Sequence, residues 1–170
     1  SLRLHGMNVT VVPAMTPPEK VLAMKPDGVF LSNGPADPAA LSYAIDSARV
    51  LLGKLPIMGV CLGHQILALA MGAATSRLKF GHHGCNHPVK NLLTGNVKIT
   101  SQNHNYTVDP ATIGSAGFEV SCVNLNDGSI EGLAHESEMV YSVQYHPEAC
   151  PGPHDARGDF GAFRKLMETA

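Results

Sequence analysis

A doubly wound α/β fold, with a mostly parallel sheet flanked by helices, is the class this sequence predicts. Two short apolar runs, residues 28–32 (GVFLS) and 56–60 (PIMGV), read as strands covered on both faces. An amphipathic helical pattern lies between them, and an almost wholly apolar helical run follows the second. Strand, helix, strand, helix with short connections gives parallel strands with helices packed on the sheet. The C-terminal half has a different texture. Residues 97–101, 118–125, 129–134 and 140–145 are strand-like, and Asn126-Asp127-Gly128 is a hairpin signal, so that half adds antiparallel strands.

In chain order, residues 1–6 read as the last turn of a helix closed by Gly6. Residues 8–13 (NVTVVP) are rich in β-branched side chains and predict a short strand. Thr16-Pro-Pro-Glu19 has the form of a capping box with proline in the first turn, opening a short helix that Pro26 ends. After the strand at 28–32, Asp37-Pro38 supplies a cap and a first helical residue. Leu41, Ala44, Ile45, Ala48, Leu51 and Leu52 then share one helical face, and Gly53 can close it. The run 62–71 is stopped by Gly72, and residues 155–168 predict a closing helix with Phe160, Phe163, Leu166 and Met167 turned inward. No repeat, low-complexity stretch or linker divides the chain.

Composition fits one packed domain. The 170 residues are 44% hydrophobic and 15% charged, which excludes a disordered chain. A formal charge of -2 gives no reason to expect nucleic acid as a partner. No apolar run reaches the roughly 18 residues that a membrane span needs. The four cysteines, Cys61, Cys85, Cys122 and Cys150, form no CxxC pair, which argues against a disulfide framework or a cysteine zinc site. They suit a reducing, cytoplasmic setting. His82, His83 and His87 lie close in sequence but match no metal-binding spacing, so no metal is expected.

The most informative stretch is Gly59-Val60-Cys61-Leu62-Gly63-His64-Gln65, a G-x-C-x-G sequence between a buried strand and an apolar helix. That is the form of a nucleophile elbow with cysteine in place of serine. The helix that begins at Leu62 aims its free N–H groups at the sulfur and favours negative charge there. Taken alone, the pattern fits a buried structural cysteine equally well. A cysteine nucleophile needs a base, and the base needs an orienting acceptor. His146-Pro147-Glu148 follows the strand at 140–145, so His146 and Glu148 can point to the same side with Pro147 fixing the bend. Ser32-Asn33-Gly34-Pro35 is a loop at the carboxyl end of another strand, the rim where open α/β sheets bind ligands. The Gly34 and Leu62 N–H groups together would make an oxyanion hole.

With these pieces in order, the sequence resembles the class I (triad) glutamine amidotransferases. Within them it is similar to the glutaminase domains of carbamoyl phosphate synthetase small subunits. The motifs that carry the narrower resemblance are Phe80-Gly-His-His-Gly84, Asn86-His-Pro88, Ser101-Gln-Asn-His104, His146-Pro-Glu-Ala149 and Pro151-Gly-Pro-His-Asp155. The resemblance covers essentially the whole chain and implies a flavodoxin-like fold. It implies that Cys61 attacks the side-chain amide of L-glutamine, with His146 handling protons and Glu148 aligning it. It also implies that Gln65, Asn103, Asn105, Ala36 and Tyr106 contact the substrate, with His104 supporting. Ammonia would pass to a large synthetase subunit that uses bicarbonate and ATP with Mg; this chain has no phosphate-binding glycine loop and is expected to hold no cofactor.

Three positions depart from the family pattern. Ala36, Asn105 and Cys85 stand where glycine is usual. If position 36 needs a positive φ, its methyl costs about 1–2 kcal/mol, whereas asparagine at 105 tolerates such geometry better than most residues. By the same resemblance, residues 1–170 are one glutaminase domain that lacks its first strand and the small subunit's N-terminal domain. Two other functions fit the same residues: the glutaminase subunit of a different amidotransferase, or a partner-binding module whose catalytic site is impaired.

Overall fold

The computed structural model describes residues 1–170. Seven strands form one sheet in the order β1-β2-β7-β6-β5-β3-β4. The parallel part is β1 (Val29–Leu31), β2 (Ile57–Val60) and β7 (Val140–Val143). The antiparallel part is larger: β6 (Ile130–His135), β5 (Glu119–Asn124), β3 (Thr75–Asn91) and β4 (Val97–Val108). Helices α1 (Pro18–Ala23), α2 (Ser42–Leu51), α3 (Leu62–Ala70) and α4 (Gly158–Thr169) complete the fold. None of them is long and apolar enough to cross a membrane.

Alternation along β2 feeds two cores. Ile57 packs with Ala48, Leu51, Leu62 and Leu67 under α2 and α3. Met58 and Val60 point the other way, to Phe160 and Phe163 of α4 and to Val143 and Tyr145. Both faces of this strand are thus buried, as its unbroken apolar run requires.

Four local expectations differ from the structure. Residues 8–13 form no strand; Val11 is 88% exposed, and β-branched side chains alone cannot make a ladder without a pairing neighbour. The capping box does not close: α1 starts after Pro17, and no side chain caps it. The inward positions predicted for the last helix divide, with Phe160 and Phe163 buried and Leu166 and Met167 only partly covered. Ala36, Asn105 and Cys85 are not among the residues with positive φ, so none of these three side chains imposes left-handed strain. Asp37 does cap as expected, its Oδ1 accepting from the Ala39 N–H at 3.0 Å. The turn at residues 2–5 likewise ends on a left-handed Gly6.

The longest element, β3, carries no strand signal in the sequence. Gly81, Gly84 and Pro88 interrupt it, and its pairing with β4 breaks register twice, between Arg77 and His82 and between Gly84 and His87. A strand so interrupted has no period-two pattern to read.

Candidate active site

Cys61 sits between β2 and α3 with φ 53 and ψ −103, a left-handed backbone for a non-glycine residue. Such strain costs about 1–3 kcal/mol and persists only where the surroundings enforce it. Two glycines and one hydrogen bond enforce it here. A Cβ on Gly63 would lie 2.1 Å from the Leu31 carbonyl oxygen, and one on Gly59 would lie 2.7 Å from the Gly63 backbone. Only bare backbone at both positions lets α3 press against β1 and β2. The Cys61 N–H is then tied to the Val143 carbonyl at 2.9 Å.

His146 follows β7, and its N–H donates to the Ser101 carbonyl at 2.9 Å, which joins it to β4. Nδ1 lies 2.8 Å from Glu148 Oε1. Nε2 is buried and has no hydrogen-bond partner; the Cys61 sulfur is the group that does most to raise the pKa of the ring. Burial acts to lower the pKa of His146, but the sulfur and then Glu148 outweigh it and lift it to about 10. Burial opposes the charge on Glu148 too, yet its bond to His146 holds its pKa below the ordinary value. The Cys61 thiol lies 3.9 Å from the Asn103 carbonyl, an acceptor that orients it from the far wall.

Cys61 and His146 share a cavity of about 350 Å³ with Asn33, Gly34, Pro35, Ala36, Gln65 and the β4 segment from Asn103 to Tyr106. Every residue expected to contact substrate therefore lines one space, and so does His104. Leu62 and Glu148 are not among its lining residues. A Cβ on Gly34 would lie 2.9 Å from the Leu62 side chain, so the two residues expected to form the oxyanion hole are neighbours. As the first residue of α3, Leu62 has an N–H with no intrahelical acceptor.

Several residues that hold the site escape sequence reasoning. His83 of β3 places Nδ1 3.1 Å from Asn103 Oδ1 and Nε2 3.2 Å from Asn105 Oδ1, so one ring positions both pocket asparagines. Asp37 accepts from the Tyr106 hydroxyl at 3.2 Å. Gln144, fully buried, accepts from Gln65 Nε2 at 2.9 Å. The FGHHG run was a signal for His83, but the partners of Asp37 and Gln144 are set only by the fold. His64 of the elbow motif faces away from the cavity. Its Nδ1 meets Ser142 Oγ at 2.9 Å, and burial, with His104, lowers its pKa to about 3, so it is neutral.

A strained cysteine at a strand-to-helix elbow shares its cavity with a carboxylate-bound histidine on a doubly wound sheet, the set of groups that cysteine-dependent acyl transfer requires. Residues 1–166 match the glutamine amidotransferase class-I family model, and the chain belongs to that family. It is 57% identical over 169 residues to the carbamoyl phosphate synthase small chain of Akkermansia muciniphila, covering 99% of this chain and 45% of that one. It is 53% identical to the chloroplastic carbamoyl phosphate synthase small chain of Arabidopsis thaliana, covering 99% of this chain and 39% of that one. The chain thus spans less than half the length of these curated relatives. A solved structure from Thermoplasma acidophilum, described as part of a GMP synthase, superposes with a TM-score of 0.79 at 22% identity. The superposition covers 99% of this chain and 85% of that one, a likeness of fold.

Proposed function

We propose that this chain hydrolyses L-glutamine to glutamate and ammonia through a γ-glutamyl thioester on Cys61, and that the ammonia serves carbamoyl phosphate synthesis on a large synthetase subunit. The observation that carries the reading is the elbow cysteine sharing one cavity with a histidine whose Nδ1 is 2.8 Å from a carboxylate. The match to small chains of carbamoyl phosphate synthase supports the choice of partner. ATP and Mg would act on that partner, and the reaction on this chain would proceed in a soluble, cytoplasmic enzyme.

In this reading the Cys61 sulfur attacks the carboxamide carbon of glutamine. The oxygen, now negative, is met by the N–H groups of Gly34 and Leu62, each worth about 2.7–4 kcal/mol when lost. Protonated His146 gives its proton from Nε2 to the departing nitrogen; the C–N bond breaks and ammonia leaves. Neutral His146 then takes a proton from water, whose oxygen attacks the thioester carbon; the acyl C–S bond breaks, glutamate leaves, and the Cys61 thiolate and protonated His146 are restored. Glu148 keeps the proton of Nδ1 in place throughout, so that Nε2 faces the reacting atoms. Both N–H groups of Gln65 are engaged, by Tyr106 O at 2.8 Å and Gln144 Oε1 at 2.9 Å. Its Oε1 is what remains for the substrate, and an acceptor there suits the α-ammonium group. Asn103, Asn105, Ala36 and Tyr106 line the rest of the pocket.

Glutamate release from glutamine, measured with the purified chain alone and with the large synthetase partner present, tests this. The expected result is release that Cys61→Ala abolishes. Carbamoyl phosphate should form from glutamine only with intact Cys61, and from free ammonia without it. Undiminished glutamate release by Cys61→Ala would refute the reading.

A further inference from the structure

Behind the pocket wall lies a chain of buried polar groups that the glutaminase chemistry does not use. Glu131 of β6 is fully buried. Its Oε1 accepts from Asn124 Nδ2 at 2.8 Å, and its Oε2 lies 2.8 Å from the Gln102 amide nitrogen. The Gln102 amide oxygen lies 2.9 Å from His104 Nε2, and His104 Nδ1 lies 2.7 Å from the Tyr106 carbonyl. That carbonyl is the one that also holds Gln65 at 2.8 Å. A continuous path therefore runs from a buried carboxylate to the amide that faces the substrate.

Counting hydrogens along this path exposes a deficit. An uncharged His104 ring, the form that burial favours, carries one N–H. The Tyr106 carbonyl can only accept, which puts that hydrogen on Nδ1 and leaves a lone pair on Nε2. A lone pair at Nε2 then faces the lone pairs of the Gln102 oxygen at 2.9 Å. Turning the amide by 180° brings its N–H to Nε2 but sets its oxygen 2.8 Å from Glu131 Oε2, against a second acceptor. Either arrangement closes when one extra proton is present, on His104 Nε2 in the first and on Glu131 Oε2 in the second.

The other charged and titratable groups around the path do not relieve this. His82 of β3 places Nδ1 3.6 Å from Glu131 Oε1, too far for a hydrogen bond, and its Nε2 is engaged by Asp127 at 2.8 Å. A proton there leaves the contact between His104 and Gln102 unchanged. His87 stacks on His82 and meets Asn124, while His64 and His146 act on His104 only through space. His82, His104 and Glu131 do converge closely enough to hold a metal ion. Both oxygens of Glu131 are nevertheless already met by amide N–H groups, which a cation at the same oxygens would have to displace.

We propose that His104, Gln102 and Glu131 hold one shared proton, and that Glu131 is thereby a positioning residue for glutamine. This rests on the glutaminase reading above. With the proton in place, the Tyr106 carbonyl and the Gln65 amide are fixed. Once it is lost, the lone-pair contact pushes His104 off Tyr106 and the wall that binds substrate loosens. Glu131→Gln supplies the missing hydrogen permanently. Its amide nitrogen donates to the Gln102 oxygen, its oxygen still accepts from Asn124, and the turned Gln102 amide donates to His104 Nε2.

The test is the pH dependence of KM and kcat for glutamine, from about pH 6 to about pH 10, in the full chain and in Glu131→Gln. The nitrogen-15 signals of the His104 ring are followed in both proteins. The wild type should show KM rising about tenfold towards alkaline pH, the size of one buried hydrogen bond. Glu131→Gln should keep the low KM across the range, apart from the titration of glutamine's own amino group, which both proteins share. The His104 Nε2 signal should move with pH in the wild type and stay fixed in the variant. A Glu131→Gln protein with KM already raised about tenfold at neutral pH, or with the wild-type pH profile, overturns the proposal. Activity lost to a chelator and restored by zinc overturns it in favour of a metal. If neither protein releases glutamate, the glutaminase reading fails, and the ring signals still decide whether the proton is shared.

Discussion

Cys61, His146 and Glu148 depend on one another through charge. His146 is held protonated up to about pH 10 by the sulfur and the carboxylate acting against burial. A base so raised stabilises the folded chain fully below its ordinary pKa of 6.5, and that support is lost as pH rises through about 10. Glu148, whose pKa is lowered, has the opposite sign: its support is present above 4.5 and is lost as pH falls through its folded value. Denaturant midpoints measured against pH should therefore decline on the alkaline side, and Glu148→Gln should flatten that decline. The same variant leaves Nε2 poorly aimed, and we expect kcat for glutamine hydrolysis to fall by about 10²-fold or more. At this scale the sequence was legible where chain context marked the residue. Cys61 lies between two glycines after an apolar run, and His146 and Glu148 flank a proline at a strand end. Glu131 and Gln144 carry no such mark, and the motifs that contain His83 and Gln102 do not show what these side chains bond. Their roles exist only because distant strands bring them together.

The elements show the same division. The elbow is readable because both of its glycines answer a steric demand at backbone distance. Gly63→Ala should cost about 1–3 kcal/mol in stability or more, since its methyl meets the Leu31 carbonyl at 2.1 Å rather than a movable side chain. Chemical denaturation of the variant checks this, and a variant as stable as the wild type contradicts the account of the elbow. Strand β2 was legible because burial on both faces writes an apolar run. β3 was not, since its glycines, Pro88 and exposed residues follow the needs of two register breaks and of backing the pocket wall through His83. Residues 8–13 mislead for the opposite reason, having strand propensity with no strand beside them.

For the whole molecule, the sheet joins a parallel half that presents the elbow to an antiparallel half that supplies the far wall of the cavity. Asp159 of α4 fastens the two. Its carboxylate is buried, Lys98 of β4 lies 2.5 Å from Oδ1, and the hydroxyls of Tyr141 and Tyr145 donate to it at 3.0 and 2.8 Å. Burial, followed by the Asp159 charge, pushes the Tyr145 hydroxyl well above its ordinary pKa. Asp159→Ala leaves Lys98 unpaired and two buried hydroxyls without an acceptor, and should cost about 3–5 kcal/mol, read from the denaturation midpoint. A doubly wound architecture was plain from the order of apolar runs. The junction between its halves was not, because a single buried aspartate in a helix gives no periodic signal.

The central claim is that Cys61 carries the acyl group of glutamine. Its most direct test is to mix the chain with glutamine, quench in acid during turnover, and locate any added mass by peptide mass spectrometry. The account predicts one γ-glutamyl group on Cys61, absent from Cys61→Ala and accumulating when attack by water is slowed. Glutamate release with no adduct on Cys61, or with the adduct on Cys85, Cys122 or Cys150, would contradict it.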